Sequence, residues 1–272
     1  MKNRIGIVGG GQLARMLIFE AKKMGFMVTV LDPTPQSPGG QVADKQIIAS
    51  LNDFEAMQEL AKNSDYITFD WELADANLLE QFEQEGITVH PSSTTLRMIQ
   101  DKLIQKEFLQ KNNIPVAPFK SLETKEDIYK IGKDFGYPML LKTRFGGYDG
   151  KGNFVIKDEK QIDYAMNVLK GKSLYVEKFV PFIKEISVII ARNVSGKIQT
   201  YPVAENIHKN NILHTTIAPA RINTSLKKKA EKLARDVMHY LQGAGVFGIE
   251  MFLTKTGKIL VNEIAPRVHN SG

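Results

Sequence analysis

The chain has 272 residues, 43% of them hydrophobic and 24% charged, which suggests two globular domains, or one large one with a mobile part, and disfavours disorder, collagen and coiled coil. It has no cysteine, which removes disulfides, thiolate zinc sites, iron–sulfur ligation and cysteine nucleophiles, and its five histidines, His90, His208, His214, His239 and His269, include no pair at metal-ligand spacing. A net charge of +6 fits a mildly basic protein with an anionic small substrate better than a nucleic-acid binder, because the densest basic run, Lys227-Lys228-Lys229, lies in a helical pattern and reads as a solvated face.

Met1-Lys2-Asn3-Arg4 leads straight into a strand, and no run of 18 apolar residues follows anywhere, so neither a signal peptide nor a membrane span is expected, and a cytoplasmic location is. Residues 4–9 form a short apolar strand bounded by glycines. A helix follows, with Leu13, Met16, Leu17 and Met24 at helical spacing, then a strand ending at Asp32. This β-α-β opening is followed by a Pro/Gly loop at 34–40, by short strands YITF and ITVH with helical patterns before and between them, and by one helix from Pro91-Ser92-Ser93 to about Lys111 with a serine N-cap. Residues 1–111 are predicted to be a doubly wound α/β domain.

NNIPVAPF reads as a linker. Beyond it a helix at about 124–135, strands PMLLKTR, NFVIK and SLYVEKFV, and a helix at 158–170 predict a small α+β unit over 112–182, with four glycines in the loop FGGYDGKGN. Residues 183–272 then turn to long strands, KEISVIIARN and KIQTYPV, a helix at about 225–242, and a terminal hairpin, GVFGIEMFLTKTGKILVNEIAP. No internal repeat or low-complexity tract is present.

Four places hold chemistry-bearing residues. Gly9-Gly10-Gly11-Gln12-Leu13-Ala14 after a strand, with Asp32 ending the next, suits a dinucleotide, another phosphate-bearing ligand, or simply a tight turn. Lys142 and the run Gly146 to Gly152 cannot be a Walker A loop, since Phe145 and Gly152 stand where glycine and Ser/Thr are needed; the loop either presents N–H groups to phosphate or is a surface turn. In the terminal hairpin, a two-residue turn at Thr256-Gly257 pairs Lys255 with Lys258 and sets Glu250 opposite Glu263 on one face. Two carboxylates ~5 Å apart repel by about 3 kcal/mol at an effective dielectric of ~20, so a cation belongs between them: Arg267, or a divalent metal with Asn262 nearby. Finally Arg267, His269 and Asn270 crowd together after that pair, as an oxyanion and proton-transfer cluster or as a polar turn.

These pieces in this order, GGGQLARM at 9–16, Asp101-Lys102, GGYDGKG at 146–152, KEIS at 184–187 and NEIAPRVHNSG at 262–272, resemble the ATP-grasp superfamily over essentially the whole chain, and within it the N5-carboxyaminoimidazole ribonucleotide synthetase family. The resemblance implies a Rossmann-like domain, a small α+β lid, and a mostly antiparallel ATP-grasp sheet. Family members continue beyond the last motif, so that sheet is expected to be incomplete here. The resemblance further implies an ATP- and magnesium-dependent ligase of purine biosynthesis, a cytoplasmic homodimer that carboxylates aminoimidazole ribonucleotide with bicarbonate through carboxyphosphate. Its ending separates it from formate-dependent glycinamide ribonucleotide transformylase, the alternative ligase.

By the same resemblance Lys102 and Lys142 face the ATP phosphates, and Gly147, Tyr148, Asp149, Gly150, Lys151, Gly152 and Asn153 fold over them. Glu177, Lys178, Phe179 and Val180 border adenine, Glu185 meets the ribose, and His208 adds a nucleotide contact. Glu250 and Glu263, beside Asn262, are the magnesium ligands. Tyr148, Asp149, Arg267, His269 and Asn270 serve bicarbonate and the ribonucleotide, Asp70 or preferably Glu72 touches the imidazole amine, and Gly10, Gly11, Gln12 and Leu13 cradle the ribonucleotide phosphate. Two departures stand out: lysine at 102, where some relatives carry arginine, and FDWEL in place of the usual acidic pair. A nicotinamide oxidoreductase or an RNA-binding module would leave the glycine loop and the facing glutamates without a role.

Overall fold

The computed structural model describes residues 3–147 and 152–272, whose strands fall into three sheets. The first is parallel, in the order β3-β2-β1-β4-β5, built from β1 (Arg4–Val8), β2 (Met27–Leu31), β3 (Lys45–Ile47), β4 (Tyr66–Phe69) and β5 (Thr88–Val89), with α1 (Gln12–Lys23), α2 (Phe54–Lys62) and α3 (Ala76–Gln84) on its faces. Ile7, Val8, Val28 and Val30 are fully buried, which is why these strands are continuous apolar runs rather than alternating ones. The strand order reverses between β1 and β4. The crevice at such a point lies outside the carboxyl ends of the strands, where Gly9 and Asp70 follow. Gly9 sits at φ +93°, and a Cβ there would stand 3.1 Å from the Trp71 backbone nitrogen, so both conformation and space require glycine.

The single helix expected over 93–111 is two, α4 (Ser93–Gln100) and α5 (Lys102–Lys111). Asp101 breaks them. Its backbone is extended, and its carboxylate accepts from the N–H groups of Leu103 (3.1 Å) and Ile104 (3.3 Å), capping α5. The NNIPVAPF segment is not a free linker: Ile114 and Ala117 are buried, and Val116 bridges to Val261.

The second sheet is antiparallel, β6-β9-β7-β8, from β6 (Phe119–Ser121), β7 (Met139–Thr143), β8 (Asn153–Ile156) and β9 (Leu174–Lys178), with α6 (Lys125–Phe135) and α7 (Ile162–Val168) sharing its core through Ile128, Ile131, Leu141 and Val176.

The third sheet runs β13-β12-β10-β14-β15, with β11 also on β10, and is antiparallel throughout. Its strands are β10 (Phe182–Arg192), β11 (Ile198–Thr200), β12 (Ala204–Lys209), β13 (Ile212–Ile217), β14 (Gly245–Thr254) and β15 (Ile259–Ala265). One face packs on α8 (Thr224–Leu241): Ile186, Val188 and Ile190 of β10 and Phe247, Ile249 and Met251 of β14 meet Ala230, Ala234 and Val237 in one core. Strand alternation then assigns Glu185 and Ser187 of β10, and Gly248, Glu250 and Phe252 of β14, to the opposite face. The short strands β3 and β6 and the β12–β13 hairpin carry too little pattern to be predicted from sequence.

Candidate functional site

That opposite face forms one wall of a cavity of about 430 Å³, whose other wall comes from the second sheet. Glu250 and Glu263 are register partners across β14 and β15. The turn joining the strands is not the two-residue one expected. Thr254 pairs with Lys258, donating to its carbonyl at 3.0 Å, and three residues lie between, with Gly257 at φ +77°. The longer turn moves the register by one residue, and a bulge at Asn262 moves it back. The facing pair therefore results from two departures that cancel. Asn262 lines the cavity beside Glu263.

Arg267 is not the cation that offsets this pair. Lys102, at the start of α5, lies 2.7 Å from Glu263 and donates to the Gly147 carbonyl at 3.0 Å, while His269 Nε2 lies 3.0 Å from Glu250 Oε1. Arg144, just after β7, grips the Asp101 carboxylate through both Nε and Nη2, and its carbonyl accepts from Lys102 N at 2.9 Å. The entry to the glycine loop is thereby tied to the helix that carries Lys102.

Lys142 on β7 reaches Glu177 Oε2 at 3.0 Å, and Lys106, one turn beyond Lys102, reaches Glu177 Oε1 at 2.6 Å. All three side chains are buried, two cations on one anion. Burial pushes Glu177 up, but the two ammonium groups outweigh it and hold the carboxyl at about 2. Burial likewise pulls Lys142 down, and Glu177 with Glu263 and Glu250 more than restores it. Lys106 is drawn below the ordinary lysine range by burial. Lys142, but not Lys106, lines the cavity, so the excess positive charge is presented to a ligand through Lys142.

A smaller cavity of about 190 Å³ adjoins the first, sharing Glu72, Gly147, Glu263 and Arg267, and is also lined by Asp70 and Lys102. Arg267 Nε stands 3.3 Å from Glu72 Oε2. Burial raises both acids above the ordinary carboxylate range; Arg267 opposes this at Glu72, and the backbone N–H groups of Ala14 and Gly11 with Arg267 oppose it at Asp70. Gly10 is drawn tightly onto Asp32, and Gly11 onto Asp70. Gly10 N donates to Asp32 Oδ2 at 2.8 Å, and a Cβ on Gly11 would lie 2.6 Å from Asp70 Oδ2. Gly10, Gly11, Gln12 and Leu13 line neither cavity; Asp70 stands between them and the smaller one.

At the far end of the larger cavity, His208 Nδ1 lies 3.2 Å from Glu185 Oε1, and the rings of Phe182 and Phe252 stack at 4.6 Å and 9°. Phe182, Phe252, Leu140 and Val155 line an apolar end beside Lys178, Phe179 and Val180, a slot suited to a planar base. Asn153 and Asn270 also line this cavity. Tyr148, Asp149, Gly150 and Lys151 lie outside the described residues. Sequence reading missed Lys106, Arg144 and the two phenylalanines. The one signal available was that Lys106 falls four residues after Lys102, on the same helix face.

Among the described residues no group of three or more acids and histidines gathers to hold a metal on its own. Glu250, Glu263 and Asn262 do fit magnesium, which is commonly held by one or two carboxylates with the rest supplied by water and substrate phosphates.

The ATP-grasp domain model matches residues 107–272, and that of the ribonucleotide synthetase preATP-grasp domain matches residues 1–100. Across 98% of its length the chain is 44% identical to the N5-carboxyaminoimidazole ribonucleotide synthase of Bacillus subtilis, 70% of which it covers. It is also 44% identical to the phosphoribosylaminoimidazole carboxylase of Ogataea methanolica, and there it spans only half the relative's length. All of the chain aligns with 71% of the Aspergillus clavatus N5-carboxyaminoimidazole synthase, solved in complex with ADP and 5-aminoimidazole ribonucleotide, at 36% identity and a TM-score of 0.93. Domain models, sequence and fold thus agree, and the chain belongs to the ATP-grasp superfamily and, within it, to the N5-carboxyaminoimidazole ribonucleotide synthase family.

Proposed function

We propose that the protein uses ATP and bicarbonate to carboxylate 5-aminoimidazole ribonucleotide on its exocyclic amine, in purine biosynthesis. The observation that carries this reading is the junction of the two cavities. Glu72, Glu263 and Arg267 line both, with Lys142 in the larger cavity and Lys102, paired with Glu263, in the smaller. A phosphoryl group delivered from one cavity would meet an acceptor bound in the other there. Bound magnesium, held by Glu250 and Glu263 with Asn262 beside them, would neutralise phosphate charge.

In this reading adenine occupies the apolar slot between Phe179–Val180 and Phe252, the ribose lies near Glu185 and His208, and Lys142 and Lys102 stabilise the transferring phosphoryl group. A bicarbonate oxygen attacks the γ-phosphorus, the bond to the β-phosphate oxygen breaks, and ADP and carboxyphosphate result. Arg267 and Asn270 hold the carboxyphosphate. The ribonucleotide amine, held by Glu72, attacks that carbon, directly or after release as CO₂; the carbon–oxygen bond to the phosphate breaks, and inorganic phosphate leaves with the proton the amine gives up. The smaller cavity is limited, which favours an acceptor that approaches through its amine.

Homodimeric assembly and a cytoplasmic location belong to the same reading and rest on the family resemblance; light scattering tests the first. The decisive experiment is ADP release by the full-length protein with bicarbonate and aminoimidazole ribonucleotide omitted in turn. Dependence on both is expected. ADP release indifferent to the ribonucleotide would eliminate the assignment and favour a sibling ligase such as glycinamide ribonucleotide transformylase, for which formate and glycinamide ribonucleotide are the matching test.

A further inference from the structure

His269 is held from three sides. Its Nδ1 lies 2.8 Å from Ser271 Oγ and 3.3 Å from the Ser271 backbone nitrogen, and its Nε2 lies 3.0 Å from Glu250 Oε1. Ser187 is fully buried on β10, directly opposite Glu250 in the ladder, and its hydroxyl donates to Ser271 Oγ at 2.8 Å. The third side is a gap. Gly248 lies two residues before Glu250 on the same face of β14, and a Cβ there would stand 2.7 Å from the ring's Cγ and 2.8 Å from its Cβ. Glycine is needed here for space, since a methyl group would push the ring off the strand.

The direction of the chain of hydrogen bonds follows from what each group can do. A backbone N–H only donates, so Nδ1 receives the Ser271 N–H. Ser271 Oγ accepts from Ser187 and has its own hydrogen left for Nδ1. The neutral imidazole then carries its hydrogen on Nε2, where Glu250 Oε1 accepts it. We propose that Ser187, Ser271 and Gly248 are positioning residues that fix His269 as the Nε2–H tautomer, and that His269 in this form holds Glu250 Oε1 so that Oε2 is turned to the cavity and its metal. The role toward metal rests on the function proposed above; the tautomer does not. On this account His269 orients a carboxylate rather than moving protons, because its Nδ1 lone pair points into the protein and its Nε2 hydrogen is engaged.

The test begins with the full-length protein, free of nucleotide and metal and labelled with ¹⁵N-histidine. Long-range ¹H–¹⁵N correlation is expected to give the Nε2–H form for His269, and a mixture of tautomers in Ser271→Ala. Gly248→Ala, which removes no hydrogen-bonding group, should displace the ring and give the same mixture. Mn²⁺ affinity of the ADP complex, read by electron paramagnetic resonance, should fall about 10-fold in Ser271→Ala, as when other outer-shell partners are lost, and recover in Ser271→Thr. An Nδ1–H tautomer in the wild type overturns the proposal, as does a wild-type tautomer in both variants, and so does unchanged Mn²⁺ affinity once the tautomer is lost. A failure of the carboxylation reading would show separately, as ADP release that ignores the ribonucleotide.

Discussion

Glu177→Gln isolates the charge at the centre of the buried cluster, because glutamine fills the same volume and leaves no cavity. The carboxyl sits at about 2 in the folded chain against an ordinary 4.5, and at 1.36 kcal/mol per pKa unit this contributes about 3 kcal/mol at neutral pH. That agrees with the ~3–5 kcal/mol typical of removing one partner from a buried ion pair, which here leaves Lys106 and Lys142 facing each other without an anion. The folded value lies below the unfolded one, so the stabilisation is complete above about pH 5 and is lost as pH falls from 4.5 towards about 2. Urea unfolding at a series of pH values should find Glu177→Gln less stable by about 3 kcal/mol at pH 7, with the gap to wild type narrowing as the solution is acidified. A variant as stable as wild type at pH 7, or a gap that ignores pH, would refute the reasoning.

Glu263→Gln should abolish ADP release yet leave the thermal midpoint within about 3 °C, since its partly exposed pair with Lys102 is worth at most ~1 kcal/mol. Arg144→Lys keeps the charge but loses the fork that grips Asp101; thermal denaturation should show a loss of about 1–2 kcal/mol, and the KM for ATP should rise as Lys102 loses its anchor. Burial raises Glu72 above its unfolded value despite Arg267, so its ionised form opposes folding at neutral pH. Glu72→Gln is therefore expected to raise the urea midpoint at pH 7 while weakening use of the ribonucleotide.

The parallel domain was legible because its strands are buried on both faces and bounded by glycine, and α1 to α3 are amphipathic enough to be read by period. In the second sheet β7 and β9 were legible as mostly buried apolar runs and β8 as the short strand after the glycine loop, while the exposed β6 was not. What failed was local. Asp101 looked like one residue inside a continuous helical pattern, and nothing nearby shows that Arg144, 43 positions away, grips it. The hairpin was read with the wrong turn, and only the bulge at Asn262 restored the pairing of Glu250 with Glu263. A bulge leaves no periodic mark, since it adds one residue to a strand that otherwise alternates normally.

By itself the sequence determined most of the strands and helices, and, through the order of motifs ending in NEIAPRVHNSG, the family to which they belong. Those are properties of spacing along the chain. Only the tertiary structure decided which charges meet: Lys106 with Glu177, Lys102 with Glu263, Arg267 with Glu72, and His269 with Glu250. The reason is physical. A charge removed from water must find its partner within a few ångströms, whatever the distance along the chain, and that pairing is set by how three sheets and one interrupted helix pack around a shared cavity.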